Sequence, residues 1–290
     1  MHLCLLATNL NSLITDPLSH EFMRKALFIS CLVAAVCGFL SSYLTLKGWA
    51  LMGDAVSHSV MPGVVVAYAL GLPFSIGAFI FGVGSVALIG FVKQKSRVKE
   101  DTVIGLVFTG FFALGIVLVS KIKSNIDLHS ILFGSPLGIS LSDVKQTVFI
   151  SLLVVLLLSV FRKDLILYCF DPRHAKTVGI NVLFLHYLLL TCLSLAAVVG
   201  LQTVGIVLVV AMLITPGATA YLLTDKFDIM TIISVISAII SSLLGIYFSF
   251  WFDLETGGSI VLVQTFIFLF AFLFAPRYGL FKIRKIFSNY

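Results

Sequence analysis

The sequence predicts an all-α polytopic membrane protein, and three observations carry that prediction. Hydrophobic residues make up 60% of the 290 and charged residues 11%, at a mean hydropathy of +1.14, which leaves too little polar surface for a soluble chain of this size. Apolar runs recur along the chain, and about 20 such residues span the hydrocarbon core as a helix. Lys and Arg gather in short segments between the runs, as they do on the cytoplasmic side of membrane proteins.

Taken in order, the chain opens on residues 1–22, which lack a compact basic stretch followed at once by an apolar core and a small-residue cleavage site. Leu5, Leu10, Leu13, Ile14 and Leu18 give this part an interfacial stripe. The transmembrane domain follows over residues 23–276, with runs near Phe28–Thr45, Trp49–Leu70, Ser75–Val92, Val103–Ser120, Val148–Phe161, Phe184–Val199, Val204–Leu223, Ile229–Trp251 and Ser259–Phe274. That is about nine spans, within eight to ten. Residues 277–290 form a basic tail. The stretch from Arg162 to Gly179 is too polar to span and reads as a short cytoplasmic helix, with Asp171 as N-cap, Pro172 in the first turn and Gly179 as the stop. A solvated connector and a docking surface for a cytoplasmic partner both fit it.

Basic clusters at Lys93–Lys99, at Arg162, Lys163, Arg173 and Lys176, and at Arg277, Lys282, Arg284 and Lys285 fall on one side of nine spans. Lys121, Lys123, Asp127, His129, Asp253 and Glu255 then lie in outer loops. Arg24 and Lys25 fit this poorly, which leaves an inward N-terminus with a different count open. Topology accounts for the net charge of +6. Nucleic acid is excluded as a partner, because the basic residues are spread over several loops without an aromatic stacking platform.

Asp54 and His58 enter an otherwise apolar run four residues apart, on one helical face where both can meet one ion. A charged group in the bilayer costs about 2.5–3.5 kcal/mol on the lenient insertion scale, so such residues face a cavity or pathway. Met61-Pro62-Gly63 and Thr215-Pro216-Gly217 interrupt two runs and are expected to break their helices at depth, as at transporter binding sites. Gly77, Gly82, Gly84, Gly105, Gly110 and Gly115 read as close-packing positions. Cys4, Cys31, Cys37, Cys169 and Cys192 lack metal-ligand spacing and read as packing residues. Asp253 with Glu255, and Asp127 with His129, are secondary candidates for cation attraction against the reading of plain solvated loops. Asp225, Lys226 and Asp228 read as a simple turn, and His186 as a packing or snorkelling residue.

Leu51–Gly63, Asp101–Leu106, Ile131–Leu137, Gly205–Ala220 and Thr256–Leu262 together resemble the transmembrane subunits of the manganese, iron and zinc permease family of ABC importers, in the right order over residues 25–276. The resemblance implies a type II-like ABC importer permease fold working as a dimer of this subunit with a copy or a paralogue. It also implies two cytoplasmic ATP-binding subunits and an extracytoplasmic metal-binding protein, in the bacterial cytoplasmic (inner) membrane. Asp54 and His58 take the place of the intramembrane ligands, Pro62, Gly63, Pro216 and Gly217 line the pathway, and Asp171, Ala175 and Gly179 lie on the coupling helix of a cytoplasmic segment, 162–180, that rests on the ATPase.

No G-x-x-x-x-G-K-[ST] loop occurs in the chain, so ATP is expected on a partner subunit and the chain itself is not expected to be an enzyme or to hold a permanent cofactor. Carboxylate with imidazole suits Mn(II), Fe(II) and Zn(II) and lacks the thiolates that favour Cu(I). In the family, Ser57-His58 followed by Pro62-Gly63 favours manganese or iron over zinc. An ion-coupled secondary carrier would use the same broken helices and intramembrane carboxylate and is set apart by working without an ATPase. An intramembrane metallohydrolase would need further ligands and a general base, and no H-E-x-x-H pattern is present.

Overall fold

The structure is a computed structural model that describes residues 19–121, 141–275 and 279. Among these residues there are eleven helices and no strands. They are α1 Glu21–Lys47, α2 Ala50–Ala69, α3 Phe74–Lys95, α4 Glu100–Lys121, α5 Leu141–Val160, α6 Arg162–Phe170, α7 Pro172–Thr177, α8 Val182–Val204, α9 Ile206–Leu223, α10 Phe227–Phe252 and α11 Thr256–Phe274. Every apolar run of the sequence becomes a helix. Seven of these helices, rather than nine, are long and apolar enough to cross a membrane: α1, α3, α4, α5, α8, α10 and α11. Of the other two runs, α2 carries Asp54, His58 and Pro62, and α9, at 18 residues, is the shortest of the nine.

The long helices run alternately up and down the bundle. Lys47 at the end of α1, Trp49 before α2, Lys93 at the end of α3, Tyr168 in α6, Lys176 in α7 and His186 near the start of α8 line one cleft, so these termini share one end. An ion pair between Arg162 of α6 and Asp228 of α10 adds the start of α10 to that end; Asp228 is therefore more than part of a simple turn. His20, just before α1, has its ring 6.2 Å from that of Phe250 near the end of α10. Arg24 and Lys25 thus sit at the end opposite the Lys93 cluster, where Lys25 pairs with Glu21 at 2.7 Å. The N-terminal stripe below residue 19, the segment containing Asp127, His129 and Ile131–Leu137, and the basic tail lie outside the described residues.

α1 is the central post. Its buried face carries Ile29, Val33, Ala34, Cys37, Leu40, Tyr43 and Leu44, and it packs mainly against α10 and α9. Small residues set these crossings, as expected where lipid offers no hydrophobic drive between helices. Ser234 donates to the Gly38 carbonyl at 2.6 Å, and Ser42 and Thr231 hydroxyls meet at 3.2 Å. A Cβ on Gly245 would come within 2.5 Å of Ile260 Cα, which brings α10 and α11 together.

The two Pro-Gly pairs do not break their helices; α2 and α9 run through Pro62 and Pro216. At Pro216 a neighbouring helix ties in beside the proline: the Gly217 N–H donates to Ser41 Oγ at 2.9 Å, and Ser41 Oγ donates to the Ile214 carbonyl at 3.2 Å. Freed backbone groups in membrane helices are commonly satisfied this way. The glycine after Pro62 has a packing reason, since Gly63 of α2 and Gly77 of α3 cross backbone to backbone and a Cβ on either would strike the other's carbonyl oxygen. The true interruption is Gly205, a single residue at φ 86° between α8 and α9, a conformation that glycine adopts readily.

Candidate metal site

α2 carries the site because its two faces differ. Met52, Ala55, Val56, Val60, Met61, Val64 and Val65 are buried against α3 and α4, its main neighbours, while Asp54 and His58 project from a face that stays partly open. His58 lies about 12 Å along a helix of about 30 Å at 1.5 Å per residue. His58 Nδ1 is 3.1 Å from Asp54 Oδ1 and 3.1 Å from the Asp54 carbonyl oxygen. Both partners only accept when the carboxyl is ionised, so Nδ1 is the protonated nitrogen and Nε2 keeps its lone pair for an ion. The imidazole is held edge-on by Phe108 and Phe112 of α4, with ring centroids 5.0 and 5.5 Å away. In the single chain 33% of the Asp54 side chain and 21% of His58 remain accessible. A charged side chain open at this depth calls for a watery cavity or a partner beside it.

Polar and small residues fix the helix that bears the pair. Ser59 of α2 donates to Ser85 Oγ of α3 at 2.7 Å, and Ser85 donates to the Gly82 carbonyl at 2.8 Å. Gly115 of α4 faces Met61 and Pro62, where a Cβ would lie 3.3 Å from both. Gly53, next to Asp54, takes Leu213 of α9 at similarly close range. The glycines expected to pack are thus of two kinds. Gly77, Gly82 and Gly115 do, whereas Gly84, Gly105 and Gly110 face open space.

Among the described residues no cluster of three or more His, Cys, Asp or Glu side chains exists that could hold a metal ion. The described residues of one chain thus bring together Asp54 and His58 alone, short of the four or more donors that Mn(II), Fe(II) or Zn(II) take. Two of the secondary candidates, Glu255 and Asp253, have structural duties. The Glu255 carboxylate caps α11 by accepting from the N–H groups of Gly257 and Gly258 at 3.1 and 2.6 Å, and Asp253 closes α10 at φ 49°. His186 bonds to the Tyr168 hydroxyl at 2.9 Å and meets Trp49 edge-on. Cys37, Cys169 and Cys192 are buried free thiols.

α7 is built as its sequence indicated. The Asp171 carboxylate accepts from the N–H groups of Arg173 and His174 at 2.9 and 3.1 Å, Pro172 occupies the first turn, and Gly179 follows the last turn at φ 87°. The His174 N–H, with that of Arg173, holds the Asp171 carboxyl below its usual value. Ala175 is fully buried and seats the helix against the bundle, whereas Arg173, His174 and Lys176 face outward. Sequence reasoning missed Ser41 and the contact of Lys47 with Tyr168, where Nζ lies 4.1 Å from the ring centroid. The signal for Ser41 was a Ser-Ser pair inside an apolar run.

An alternating helical bundle with a carboxylate–imidazole pair on an inner helix defines a polytopic membrane transport protein. The chain belongs to the ABC 3 transport family, whose profile matches residues 19–275, in agreement with the resemblance read from its motifs. It is 54% identical over 267 residues to the manganese transport system membrane protein MntB of Synechocystis sp., covering 92% of this chain and 87% of that protein. It is 47% identical over 263 residues to the chelated iron transport system membrane protein YfeD of Yersinia pestis, covering 91% and 89%. Among solved structures it superposes on a chain of PsaBC from Streptococcus pneumoniae in complex with Fab, with a TM-score of 0.85, 39% identity and 92% and 97% coverage. A likeness of fold alone extends to an inward-facing conformation of a candidate metal-chelate type ABC transporter, with a TM-score of 0.64, 19% identity and 87% and 88% coverage. The chain is a multi-pass protein of the bacterial cytoplasmic membrane.

Proposed function

We propose that this chain is the membrane-spanning subunit of an ATP-driven importer of Mn(II) or Fe(II), with Zn(II) also compatible with its donor set. The observation that carries the reading is the Asp54–His58 pair, oriented at 3.1 Å on one face of α2 and partly open at membrane depth. Support for the metal comes from relatives named for manganese and for iron transport and from the oxygen-plus-imidazole chemistry of the pair. Two permease subunits, identical or paralogous, form one pathway, and each supplies Asp54 and His58, so that two carboxylates and two imidazoles surround the ion. A binding protein outside delivers the metal. Two ATP-binding subunits inside, resting on the segment around α7, turn the pathway from outward to inward facing. Directionality follows from that cycle, because a site with equal affinity in both orientations only equilibrates its ion.

Uptake of radiolabelled manganese in metal-starved cells carrying the whole transport system tests the reading. Asp54→Ala and His58→Ala should each abolish uptake at matched membrane expression, with iron competing in the wild type. Unchanged uptake in both variants would refute the site. Uptake that persists without the ATP-binding subunits would replace the importer with an ion-coupled carrier.

A further inference from the structure

A ring tied at a single corner pivots about that tie, and His58 is tied in this way. Its Nδ1 meets Asp54 Oδ1 and the Asp54 carbonyl oxygen, each at 3.1 Å, which sets the tautomer but leaves the direction of Nε2 to whatever packs against the ring. That packing comes from α4. Phe108 and Phe112 stand four residues apart on one face of α4, with their ring planes 20° apart and their centroids separated by 6.1 Å. The imidazole meets this aromatic wall nearly at right angles, at 82° to Phe108 and 78° to Phe112, with centroid separations of 5.0 and 5.5 Å. These are the distances and angles of favourable edge-to-face aromatic pairs.

The backbone keeps the wall level with the site. α2 and α4 both start from the basic end of the bundle, and Gly115 of α4 fits against Met61 and Pro62 of α2, where a Cβ would lie 3.3 Å from each. Phe112 stands three residues before Gly115, as His58 stands three before Met61, so helices running in the same direction bring the two rings to one height. Both phenylalanines are half-buried, and Phe108 packs on the main apolar core. Neither has a donor atom for an ion, so each acts on one only through His58.

We propose that Phe108 and Phe112 are positioning residues for metal capture, which hold the imidazole so that Nε2 and the Asp54 carboxylate meet the ion together. The role presupposes the Asp54–His58 metal site proposed above. An imidazole already in its bound direction spares the entropy of ordering it when the ion arrives. Loosening the ring weakens the nitrogen ligand and leaves the carboxylate as it was. Mn(II) then loses affinity relative to Mg(II), which favours oxygen alone, so the wall governs selectivity as well as affinity.

Manganese uptake by the whole transport system, at matched membrane expression, gives the half-saturation concentration and the maximal rate, with Mg(II) as competitor and Asp54→Ala in parallel. Phe108→Leu and Phe112→Leu keep apolar bulk and lose the ring. Each should raise the half-saturation concentration about 2–10-fold, the worth of an aromatic pair beyond its burial, with the maximal rate unchanged. The Mg(II) concentration that halves uptake, relative to the manganese half-saturation concentration, should fall by a similar factor. Phe112→Tyr keeps the ring and should match the wild type. An unchanged half-saturation concentration in the double Leu variant, or a fall in maximal rate alone, overturns the positioning role, and loss of uptake in Asp54→Ala then leaves the metal site standing. Equal impairment of Phe112→Leu and Phe112→Tyr also overturns it, and full uptake in Asp54→Ala overturns role and site together.

Discussion

Ser41→Ala isolates the hydrogen-bonded tie between α1 and α9 beside Pro216. Ser41 is fully buried, accepts from the Gly217 N–H at 2.9 Å and donates to the Ile214 carbonyl at 3.2 Å. The variant deletes both bonds. An interhelical hydrogen bond in a membrane protein averages about 0.6 kcal/mol, with a maximum near 1.7, because the unfolded reference also finds partners. A donor stranded in a dry interior costs about 1–3 kcal/mol, and Gly217 is stranded: its approach to the Ser41 carbonyl leaves no room for water. The expected loss is therefore about 1–3 kcal/mol, a fall of about 2–12 °C in the unfolding midpoint at about 2–4 °C per kcal/mol. The assay is thermal unfolding of the purified protein in one detergent, repeated in a Pro216→Ala background. Alanine restores the N–H at 216 and lets Gly217 return to its ordinary acceptor four residues back, so Ser41→Ala should cost less there, with a coupling of at least about 0.5 kcal/mol. An unchanged midpoint, or the same shift in both backgrounds, would refute an energetic link between Ser41 and the proline.

At the metal pair, Asp54→Asn keeps an acceptor for His58 Nδ1–H but removes the charge, and should raise the manganese concentration for half-maximal uptake by about 10–100-fold, whereas Asp54→Ala should leave no measurable uptake. Gly63→Ala or Gly77→Ala forces α2 from α3 at their backbone crossing; overpacking of this kind costs about 1–3 kcal/mol, read as a lower unfolding midpoint with reduced uptake, while Gly110→Ala, facing open space, should be silent. The Asp171 carboxyl lies below its usual value of 3.8 in the folded chain, so its capping contribution is complete above the unfolded value and is lost as pH falls through the lowered folded one. Amide exchange of α7 should therefore accelerate below about pH 4, and Asp171→Asn, which also caps, should remove that pH dependence.

The bundle was legible because membrane physics writes it in composition: each apolar run is a helix, and the local signals at Asp171, Pro172 and Gly179 define α7 as they stand. What could not be read was whatever depends on a neighbour. Pro62 and Pro216 look like breaks in isolation, yet both helices continue through them, and the contacts made there by Gly77 and Ser41 come from segments distant in sequence. The same holds for the glycines of α4, where Gly115 has a partner in Met61–Pro62 and Gly105 and Gly110 face outward, at an identical spacing. For the site, the i, i+4 spacing placed Asp54 and His58 on one face. It could not tell that Asp54 would take Nδ1, and so leave Nε2 with its lone pair.

That orientation bears on selectivity through charge. Before loading, each carboxylate is held by the Nδ1–H of its own His58 and reached by water through the open face of α2, which meets part of the cost of a charge at depth. In the proposed pair of subunits two such carboxylates carry two negative charges, and one divalent cation cancels them. A monovalent ion leaves the cluster negative and a trivalent one leaves it positive, and either residue of charge is penalised most where the dielectric is lowest. The imidazole nitrogens then discriminate within the divalent ions, since Mg(II) and Ca(II) favour oxygen alone while Mn(II), Fe(II) and Zn(II) accept nitrogen. In the proposed reading, the pair from each chain completes a coordination shell when the chain is doubled. The partial exposure of Asp54 and His58 in the single chain is the surface on which such doubling would complete the coordination shell.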